Sequence, residues 1–408
     1  MKIEIPKLSL VMLFGAAKQE RLKFAKKHFR DAEILFFSFS KKDFDTQTPI
    51  KIEALYHEVE KRCALGKLTV VDATEMQPLE RKQLISIAKK HHLLVVGISF
   101  EFPEKERDSS AEIDRWLFLS EHGLSSFSSI GSPEEMDQVT IQRVPLQVDR
   151  TSEQGPFDVI GDIHGCFDEL CRLLKKLGYQ IESHTDEGRT AFQVHHPDGR
   201  KVIFLGDLVD RGPKSPSVLQ LVMDMVEANM AHCVMGNHDD RFYRVLSGRK
   251  VLIQYGLKQT LTQIRKCSSE WKDRVRRFLE QLPHHYVFDS GRLVVAHAGL
   301  IEPYHGRHSK AIRSFAIYGD PTGQRDEYGF PIRRNWAKEY HGEAWVIYGH
   351  TPVEKPVFQN RTVNIDTGCV FGGRLTAFRY PEQECVSVPS FRKYADLGRP
   401  FFTQKDFQ

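Results

Sequence analysis

The first third of the chain alternates short apolar runs with longer charged stretches. Four apolar runs, LSLVMLFG, EILFFSF, LTVVDAT and LLVVGISF, lie between residues 8 and 100. Charged stretches such as QERLKFAKKHF and QPLERKQLISIAKKHH separate them and are typical of helices. This alternation, from Leu8 to about Val144, predicts βαβ units around a parallel sheet.

A polar segment then interrupts the pattern. Residues 149–156 read DRTSEQGP and predict a linker, because Gly-Pro marks a turn or loop. Beyond it the apolar runs each end in Gly, Asp, Asn or His: FDVIGD, KVIFLGD, HCVMGN, LVVAHAG, WVIYGH and VNIDTG. An insertion from Phe242 to about Tyr286 is expected to be helical throughout. We therefore expect an α/β protein with domains at 1–148 and 157–390 and a tail at 391–408.

Composition narrows the class of protein only modestly. The 58 basic and 54 acidic residues give a net charge of +4, which permits phosphate-bearing substrates without indicating a nucleic-acid binder. Seven cysteines without a CxxC pair indicate neither a disulfide framework nor a zinc ribbon, so a reducing cytoplasm is expected. The opening MKIEIPKLSLVMLFG is too short for a membrane span and predicts a buried strand.

Six strand ends carry side chains that can bind metals or phosphate. They are GDIHG (161–165), GDLVDRG (206–212), GNHD (236–239), AHAGL (296–300), GHTPV (349–353) and NIDTG (364–368). Ligands in open α/β sheets bind at the carboxyl ends of strands, where such loops converge. Carboxylate, amide and imidazole together suit Mn, Fe, Ni or Zn better than magnesium. Asp162 and His164 are therefore candidate metal ligands.

Each residue taken singly has a structural explanation. Asn237 is compatible with a turn, Asp210 with a left-handed cap, and His297 or His350 with a buried core histidine. The order and number of the six motifs favour a metal site over these explanations. Six other histidines fit no motif and are expected on the surface or in loops: His91, His92, His195, His196, His284 and His285.

The six motifs resemble those of the binuclear calcineurin-like metallophosphoesterases, over residues 157 to about 380. This resemblance implies a C-terminal α/β sandwich that holds two divalent transition metals, Mn²⁺ foremost, with Ni²⁺, Fe or Zn²⁺ as alternatives. It assigns Asp162 and His164 to the first metal and Asn237, His297 and His350 to the second, with Asp207 bridging both. It also implies that Arg211 clamps the phosphate and that His238, oriented by Asp210, acts as general acid.

A narrower resemblance concerns the bacterial polynucleotide kinase-phosphatases, which heal RNA ends. It rests on YGDPTGQRDEYGFPIRRNWAKEYHGEAWVIYGHTPV and on VNIDTGCVFGGRLTAFRYPEQECVSVP. This resemblance implies that Asp366 is a further active-site residue. The runs IPKLSLVMLFG, FAKKHF and GKLTVVDATEMQP resemble the preceding P-loop kinase domain. The adenylyltransferase domain that follows in the family has no counterpart here.

The kinase-like domain departs from its family at three catalytic positions. A phosphate-binding loop needs GxxxxGK[ST], whereas residues 15–23 read GAAKQERLK, with Arg21 at the lysine and Leu22 at the metal-binding hydroxyl. Ser38 stands where the family has its general-base aspartate, and the lid is shortened to PEKERDSSAEIDRW. We therefore expect a degenerate domain without kinase activity, in which Asp72 binds no magnesium.

The resemblance implies hydrolysis of phosphomonoesters or 2′,3′-cyclic phosphates, first of all at RNA ends. Phosphorylated RNA ends or nucleotides are the expected substrates, and a homodimer and separate RNA repair proteins are left open as partners. Basic residues near the motifs favour RNA, although a basic helix face is more often merely solvated: Arg249, Lys250, Arg265, Lys266, Arg274, Arg276, Arg277, Arg333 and Arg334. The alternatives are a diadenosine-tetraphosphate-type hydrolase, a protein Ser/Thr phosphatase, which Asp239 disfavours, and a non-enzymatic binding module.

Overall fold

The computed structural model of the chain describes residues 1–15, 18–35, 48–102, 124–186 and 189–407. The chain divides into two compact units, one of Met1–Leu146 with Arg307–Ser309 and one of Gln147–Gly306 with Lys310–Gln408. The division after Leu146 lies close to the polar segment at 149–156.

The first unit is built around a parallel sheet with the strand order β3-β4-β2-β5-β6. A separate parallel pair joins β1 to β7. In chain order the elements are β1 Lys2–Pro6, β2 Ser9–Gly15, α1 Lys18–His28, β3 Ile34–Leu35, α2 Thr48–Ala64, β4 Thr69–Asp72, α3 Pro78–Lys90, β5 Leu94–Phe100, β6 Ser126–Ile130, α4 Pro133–Gln138 and β7 Thr140–Val144. The predicted parallel sheet is therefore present.

Strand β2 is buried on both faces, as a parallel sheet between helices requires. Val11 and Leu13 share one apolar cluster with Phe24 of α1. Leu10 and Met12, on the opposite face, share another with helices α2 and α3. The opening apolar run thus supplies the central strand of this sheet, after the short strand β1.

Arg21 and Asp72 form a buried ion pair at the end of strand β4. The Arg21 Nε atom lies 3.1 and 3.0 Å from the two carboxylate oxygens of Asp72, and its Nη2 lies 3.0 Å from Oδ2. The two side chains are 3% and 7% exposed. A carboxylate held in this way already has a cationic partner, in line with the expectation that Asp72 binds no magnesium. Ser38 and the shortened lid lie outside the described residues, and the absence of kinase activity stays a prediction.

The second unit contains two larger sheets, with the strand orders β13-β12-β9-β21-β22 and β19-β20-β18-β15-β14-β8. Its strands are β8 Asp149–Arg150, β9 Phe157–Ile160, β10 Gln180–Asp186, β11 Arg189–His195, β12 Lys201–Phe204, β13 Ala231–Cys233, β14 His285–Phe288, β15 Leu293–Ala296, β16 Pro321–Arg325, β17 Pro331–Arg333, β18 Trp345–Tyr348, β19 Val357–Gln359, β20 Thr362–Asn364, β21 Arg374–Tyr380 and β22 Glu384–Pro389. Its helices are α5 Phe167–Leu177, α6 Ser215–Glu227, α7 Asn237–Leu246, α8 Leu257–Gln263, α9 Ser269–Gln281 and α10 Lys310–Tyr318.

The two large sheets pack face to face through one apolar cluster. Val159 and Ile203 come from the first sheet, and Val295, Ile347 and Val363 come from the second. A further cluster covers the other face of the first sheet, where Leu170 and Leu174 of α5 and Val222 of α6 are fully buried. The expected α/β sandwich is therefore confirmed for this unit.

Several local predictions need correction. Asp149 and Arg150, expected in a linker, pair with β14 and belong to the second sheet, because Asp149 aligns with Val287 and Arg150 with Phe288. The insertion is not helical throughout, since residues 247–256 separate α7 from α8.

The segment at 391–408 is not a loose tail. Phe402 forms a β-bridge with Val353, and the ring of Phe401 packs where any Cβ on Gly368 would stand. Of the histidines expected on the surface or in loops, His196 and His284 lie in loops, although both are buried, whereas His285 is buried inside β14. Among the described residues, no helix combines the length and the apolar character needed to cross a membrane.

Candidate metal centre

The candidate ligands come from the carboxyl ends of strands in both large sheets. In the first sheet Asp162, Asp207 and Asn237 follow β9, β12 and β13. In the second, His297, His350 and Asp366 follow β15, β18 and β20. All six side chains are at least mostly buried. The motifs that are far apart in the sequence are thus carried to one end of the sandwich.

The backbone of these loops is strained at the candidate residues themselves. Five of them have positive φ, a conformation that is uncommon outside glycine and that clusters at functional sites: His164 at 45°, Asp207 at 49°, Asp210 at 75°, Arg211 at 68° and His350 at 71°. The motif glycines permit close approach, because a Cβ on Gly349 would stand 2.1 Å from Asp162 Oδ1.

Three ligand atoms converge at the second candidate metal position. Asn237 Oδ1 lies 3.0 Å from His297 Nε2 and 2.8 Å from His350 Nδ1, and the two ring nitrogens lie 3.0 Å apart. Asp207 Oδ1 lies 3.4 Å from His297 Nε2. Neutral imidazole and amide groups at this spacing present several lone pairs to one point, which is how the ligands of a single cation are arranged.

The protonation of the ring nitrogens suits metal binding. His297 Nδ1 lies 2.9 Å from the Leu205 carbonyl and His164 Nδ1 lies 2.8 Å from the Val209 carbonyl. A carbonyl only accepts hydrogen bonds, so each Nδ1 carries the hydrogen and each Nε2 keeps its lone pair. His350 presents Nδ1 to the cluster, and its buried Nε2 has no hydrogen-bond partner in the described part of the chain.

The first candidate metal position is less tightly drawn together. His164 Nε2 lies 3.5 Å from Asp207 Oδ2 and 2.5 Å from Arg211 Nη1. Both oxygens of Asp162 lie 3.2 Å from the backbone N–H of His350, which donates to them. Asp207 therefore stands between His164 on one side and His297 on the other, where a bridging ligand is expected.

Electrostatics at the centre favour bound cations. Burial raises the pKa of Asp207 and of Asp366 to about 7, and the negative charge of Asp207 adds to the rise at Asp366. The pKa of Asp162 is raised well above its ordinary value, chiefly by burial and then by repulsion from Asp366 and Asp207. These three buried carboxylates share the guanidinium of Arg211, and two divalent cations would offset the negative charge that it leaves. The residues present therefore fit a binuclear centre.

His238 is held by a short chain of hydrogen bonds that the sequence does not reveal. Its Nδ1 donates to Asp210 Oδ2 at 2.6 Å, and the Thr260 hydroxyl donates to Asp210 Oδ1 at 2.7 Å. The backbone N–H of Asp210 in turn lies 2.9 Å from Thr260 Oγ1. Thr260 belongs to helix α8 and is 50 positions from Asp210. No sequence motif marks it, so its role follows only from the fold.

Asp239 is a second residue whose structural role the sequence analysis did not identify. It is fully buried, and its carboxylate accepts the backbone N–H of Leu208 at 3.0 Å and of Gly236 at 3.2 Å. Burial, followed by the charge of Asp207, raises the pKa of Asp239 to about 8. It joins the loops that carry Asp207 and Asn237.

The basic residues of the insertion do not form a uniformly free cationic surface. Arg274 pairs with Asp224 at 2.8 Å and with Glu227 at 2.7 Å, and Arg276 pairs with Glu280 at 3.0 Å. Arg334 pairs with Asp320 at 2.9 Å. Much of this charge is therefore balanced locally, as expected of a solvated helix face.

Comparison with known proteins identifies the class of the second unit. A family model described as calcineurin-like phosphoesterase matches residues 155–354. The chain is 47% identical over 250 residues to a bis(5′-nucleosyl)-tetraphosphatase PrpE (asymmetrical) of Anoxybacillus flavithermus, covering 60% of this chain and 99% of that relative. It is 50% identical over 237 residues to the protein of the same name in Geobacillus thermodenitrificans, covering 57% of this chain and 94% of that relative.

These matches support the two resemblances drawn from the sequence unequally. Both relatives are named as tetraphosphatases rather than polynucleotide kinase-phosphatases, and the family model matches none of residues 1–146 of the first unit. They give no support to an RNA repair enzyme or to a kinase-like first unit. The broader resemblance is confirmed: the chain belongs to the calcineurin-like phosphoesterases, hydrolases that act on phosphoester bonds.

Proposed function

We propose that the chain is a two-metal hydrolase of dinucleoside polyphosphates that cleaves diadenosine tetraphosphate asymmetrically, into AMP and ATP. The observation that carries the proposal is the 47% identity over 99% of a relative named for this activity. The buried carboxylates and imidazoles at the strand ends support it, because they suit a reaction at a polyanionic phosphate chain. This substrate is one of the alternatives to RNA ends that the sequence leaves open.

In this proposal Asp162, His164 and Asp207 hold one divalent cation, and Asp207, Asn237, His297 and His350 hold the other. When bound, the two cations polarise phosphoryl oxygens and lower the pKa of a water nucleophile. Mn²⁺ is the proposed native metal, and the mixed nitrogen and oxygen donors equally suit Ni²⁺, Fe or Zn²⁺.

The protein side chains bind the phosphate and move the proton. Arg211 donates hydrogen bonds to the oxygens of the attacked phosphate, since a planar guanidinium matches phosphate geometry. His238 keeps Nδ1–H on the Asp210 carboxylate, 2.6 Å away, so once Nε2 has taken up a proton from solvent the imidazolium can pass that proton to the leaving phosphate oxygen. Asp366, a buried carboxylate close enough to repel Asp162, is proposed to help position the substrate.

The test is a product analysis. Protein loaded with Mn²⁺ is incubated with diadenosine tetraphosphate, and the nucleotides are separated by ion exchange. Equal amounts of AMP and ATP are expected, and Asp207→Asn should abolish their release by removing the bridging ligand. Two ADP per substrate would exclude asymmetric cleavage. Preferential hydrolysis of a 3′-phosphorylated oligoribonucleotide would favour the RNA-end function instead.

A further inference from the structure

A groove opens beside the candidate metal ligand His350. It has a volume of about 270 Å³. One wall comes from the segment between helix α10 and Trp336, including Ile332 and Arg333, and the other comes from Arg399, Phe402 and Phe407 near the carboxyl end of the described chain. His350 and the adjoining Thr351 also line it. The groove therefore begins at the centre where the phosphate is attacked.

The C-terminal wall is firmly attached to the loop that carries His350. The backbone N–H of Glu354 donates to the Phe402 carbonyl at 2.9 Å, and that of Phe402 donates to the Pro352 carbonyl at 3.2 Å. The Phe407 carbonyl accepts from Asn335 Nδ2 at 2.8 Å and from Gln359 Nε2 at 2.7 Å. These contacts hold the C-terminal wall in place. One of them is made by Glu354, which lies four residues beyond His350 in the same loop.

Two guanidinium groups in the groove, those of Arg333 and Arg399, are partly buried, and their charges are incompletely compensated. Arg333 donates to the Tyr318 carbonyl at 2.8 Å, and no ion pair joins it to a carboxylate among the described residues. Burial lowers the pKa of Arg333 to about 10. The Arg399 side chain is 9% exposed and lies 3.3 Å from Asp326, and its Nε has no hydrogen-bond partner in the part of the chain that is described. Buried cations in this condition are costly unless an anion joins them.

Part of the remaining lining is aromatic, and the rest includes the carboxylates of Asp320, Asp326 and Asp406. Trp336, Tyr348, Phe402 and Phe407 present aromatic rings, and the Arg399 guanidinium lies 4.2 Å from the centroid of the Phe402 ring. Binding sites for small molecules have volumes of about 300–1,000 Å³. The groove, at about 270 Å³, lies at the small end of this range, so it has room for one nucleoside rather than two. A second cleft, lined by Arg241, Arg244, Arg249 and Lys250, has no aromatic residue in its lining and does not share these features.

We propose that this groove binds one nucleoside phosphate arm of the substrate, with its phosphates at Arg333 and Arg399 and its base against the aromatic wall. The inference rests on the proposed function, since it names where that substrate extends from the metal centre. It makes the C-terminal segment a specificity element: Arg399 and Phe402 select a nucleotide over a simple phosphate ester.

Two variants and one matched control test the groove. Arg399→Gln removes the charge, and Ile332→Glu places a carboxylate at a position that is 39% exposed, where folding should tolerate it. Ile253→Glu makes the same change at a site that is 61% exposed and outside the groove lining. For each protein loaded with Mn²⁺, kcat/KM is measured for diadenosine tetraphosphate and for bis-p-nitrophenyl phosphate, and binding of α,β-methylene-ADP is measured by calorimetry.

The ratio of the two kcat/KM values and the affinity for α,β-methylene-ADP should each fall about tenfold or more in both groove variants, because each loses or opposes a charge-assisted phosphate contact. The control should match the wild type. If Arg399→Gln fails to fold, the result for Ile332→Glu alone tests whether the groove binds the substrate. An unchanged ratio and affinity in the groove variants, with diadenosine tetraphosphate still cleaved, would overturn the groove. Groove-dependent binding of α,β-methylene-ADP without cleavage of diadenosine tetraphosphate would leave the groove standing and overturn the proposed function.

Discussion

At the scale of single residues, the positions of ligands and supporting groups obey different rules. The ligand positions follow strand ends, because parallel strands bring their carboxyl ends together. The supporting groups come from wherever the fold brings a side chain within reach. Thr260 on α8 and Asp210 at a strand end illustrate the second case, with 2.7 Å between the hydroxyl and the carboxylate.

The general-acid role of His238 predicts a selective loss of rate. His238→Gln should lower kcat for substrates with a poor leaving group by roughly 10²–10⁴, the usual contribution of general acid–base catalysis. For bis-p-nitrophenyl phosphate, whose leaving group needs little protonation, kcat should fall by a smaller factor. Steady-state kinetics and metal analysis on the same protein check this. An unchanged rate with the poor leaving group, at full metal content, would refute the role.

Thr260 predicts a smaller effect of the same kind. Thr260→Val keeps the shape of the side chain but removes the hydroxyl that bonds Asp210, so the Asp210 carboxylate holds His238 less well. We expect kcat to fall about tenfold, which corresponds to about 1.4 kcal/mol in the barrier. Thr262→Val is the matched control. Thr262 lies on the same helix, and its hydroxyl donates to the Lys258 carbonyl within that helix. Equal rates for the two variants would exclude a positioning role.

At the scale of elements, the sequence was most informative where one strand and its following loop acted together. The parallel sheet of the first unit and the convergence of the candidate ligands at strand ends were predictable, since short apolar runs ending in Gly, Asp or His have a local cause. The insertion between α7 and α9 was predicted as helical throughout, because nothing in its charge pattern marks the break at 247–256. Strand β8 was mistaken for a linker, since a two-residue strand is defined by its partner β14 and not by its own residues.

The ion pair between helix α1 and strand β4 predicts a measurable contribution to stability. Arg21→Ala would leave the Asp72 carboxylate buried without its cation, and breaking a buried pair typically costs about 3–5 kcal/mol. Hydrogen bonds from Thr74 to Asp72 would remain. Lys23→Ala, on the same helix, breaks an exposed pair with Asp137 and should cost about 1 kcal/mol or less. Urea unfolding of the full chain measures both, and equal losses would contradict the buried pair's role.

At the scale of the whole molecule, the candidate metal centre draws on residues from 162 to 366, and the proposed groove extends this range to Phe407. Neither Arg399 nor Phe402 belongs to a recognisable motif, which is why the sequence predicted only a tail there. Their contribution depends on the β-bridge that carries the end of the chain back to Val353. Long-range contacts of this kind leave no local pattern in a single sequence.

The crowded carboxylates predict how metal binding and pH act together on stability. In the metal-free protein the pKa values of Asp207 and Asp366 are raised to about 7, so the folded state binds more protons than the unfolded state above the ordinary carboxyl range. Through these two carboxylates the stability of the metal-free protein should fall as the pH rises through 7, above the range in which the buried histidines, whose pKa values are lowered, act in the opposite sense. Bound Mn²⁺ should offset this loss, so the gain in Tm on adding Mn²⁺ should be larger at about pH 8 than at about pH 5.5. A gain that is equal at both pH values would contradict it.

The most direct test of the binuclear centre is an anomalous difference map from crystals grown with Mn²⁺. Two peaks are expected, about 3.5–4 Å apart, on either side of Asp207. One should lie beside Asp162 and His164, and the other beside Asn237, His297 and His350. A single peak, or one displaced to the buried group of Cys166, Glu169 and Cys369, would contradict it.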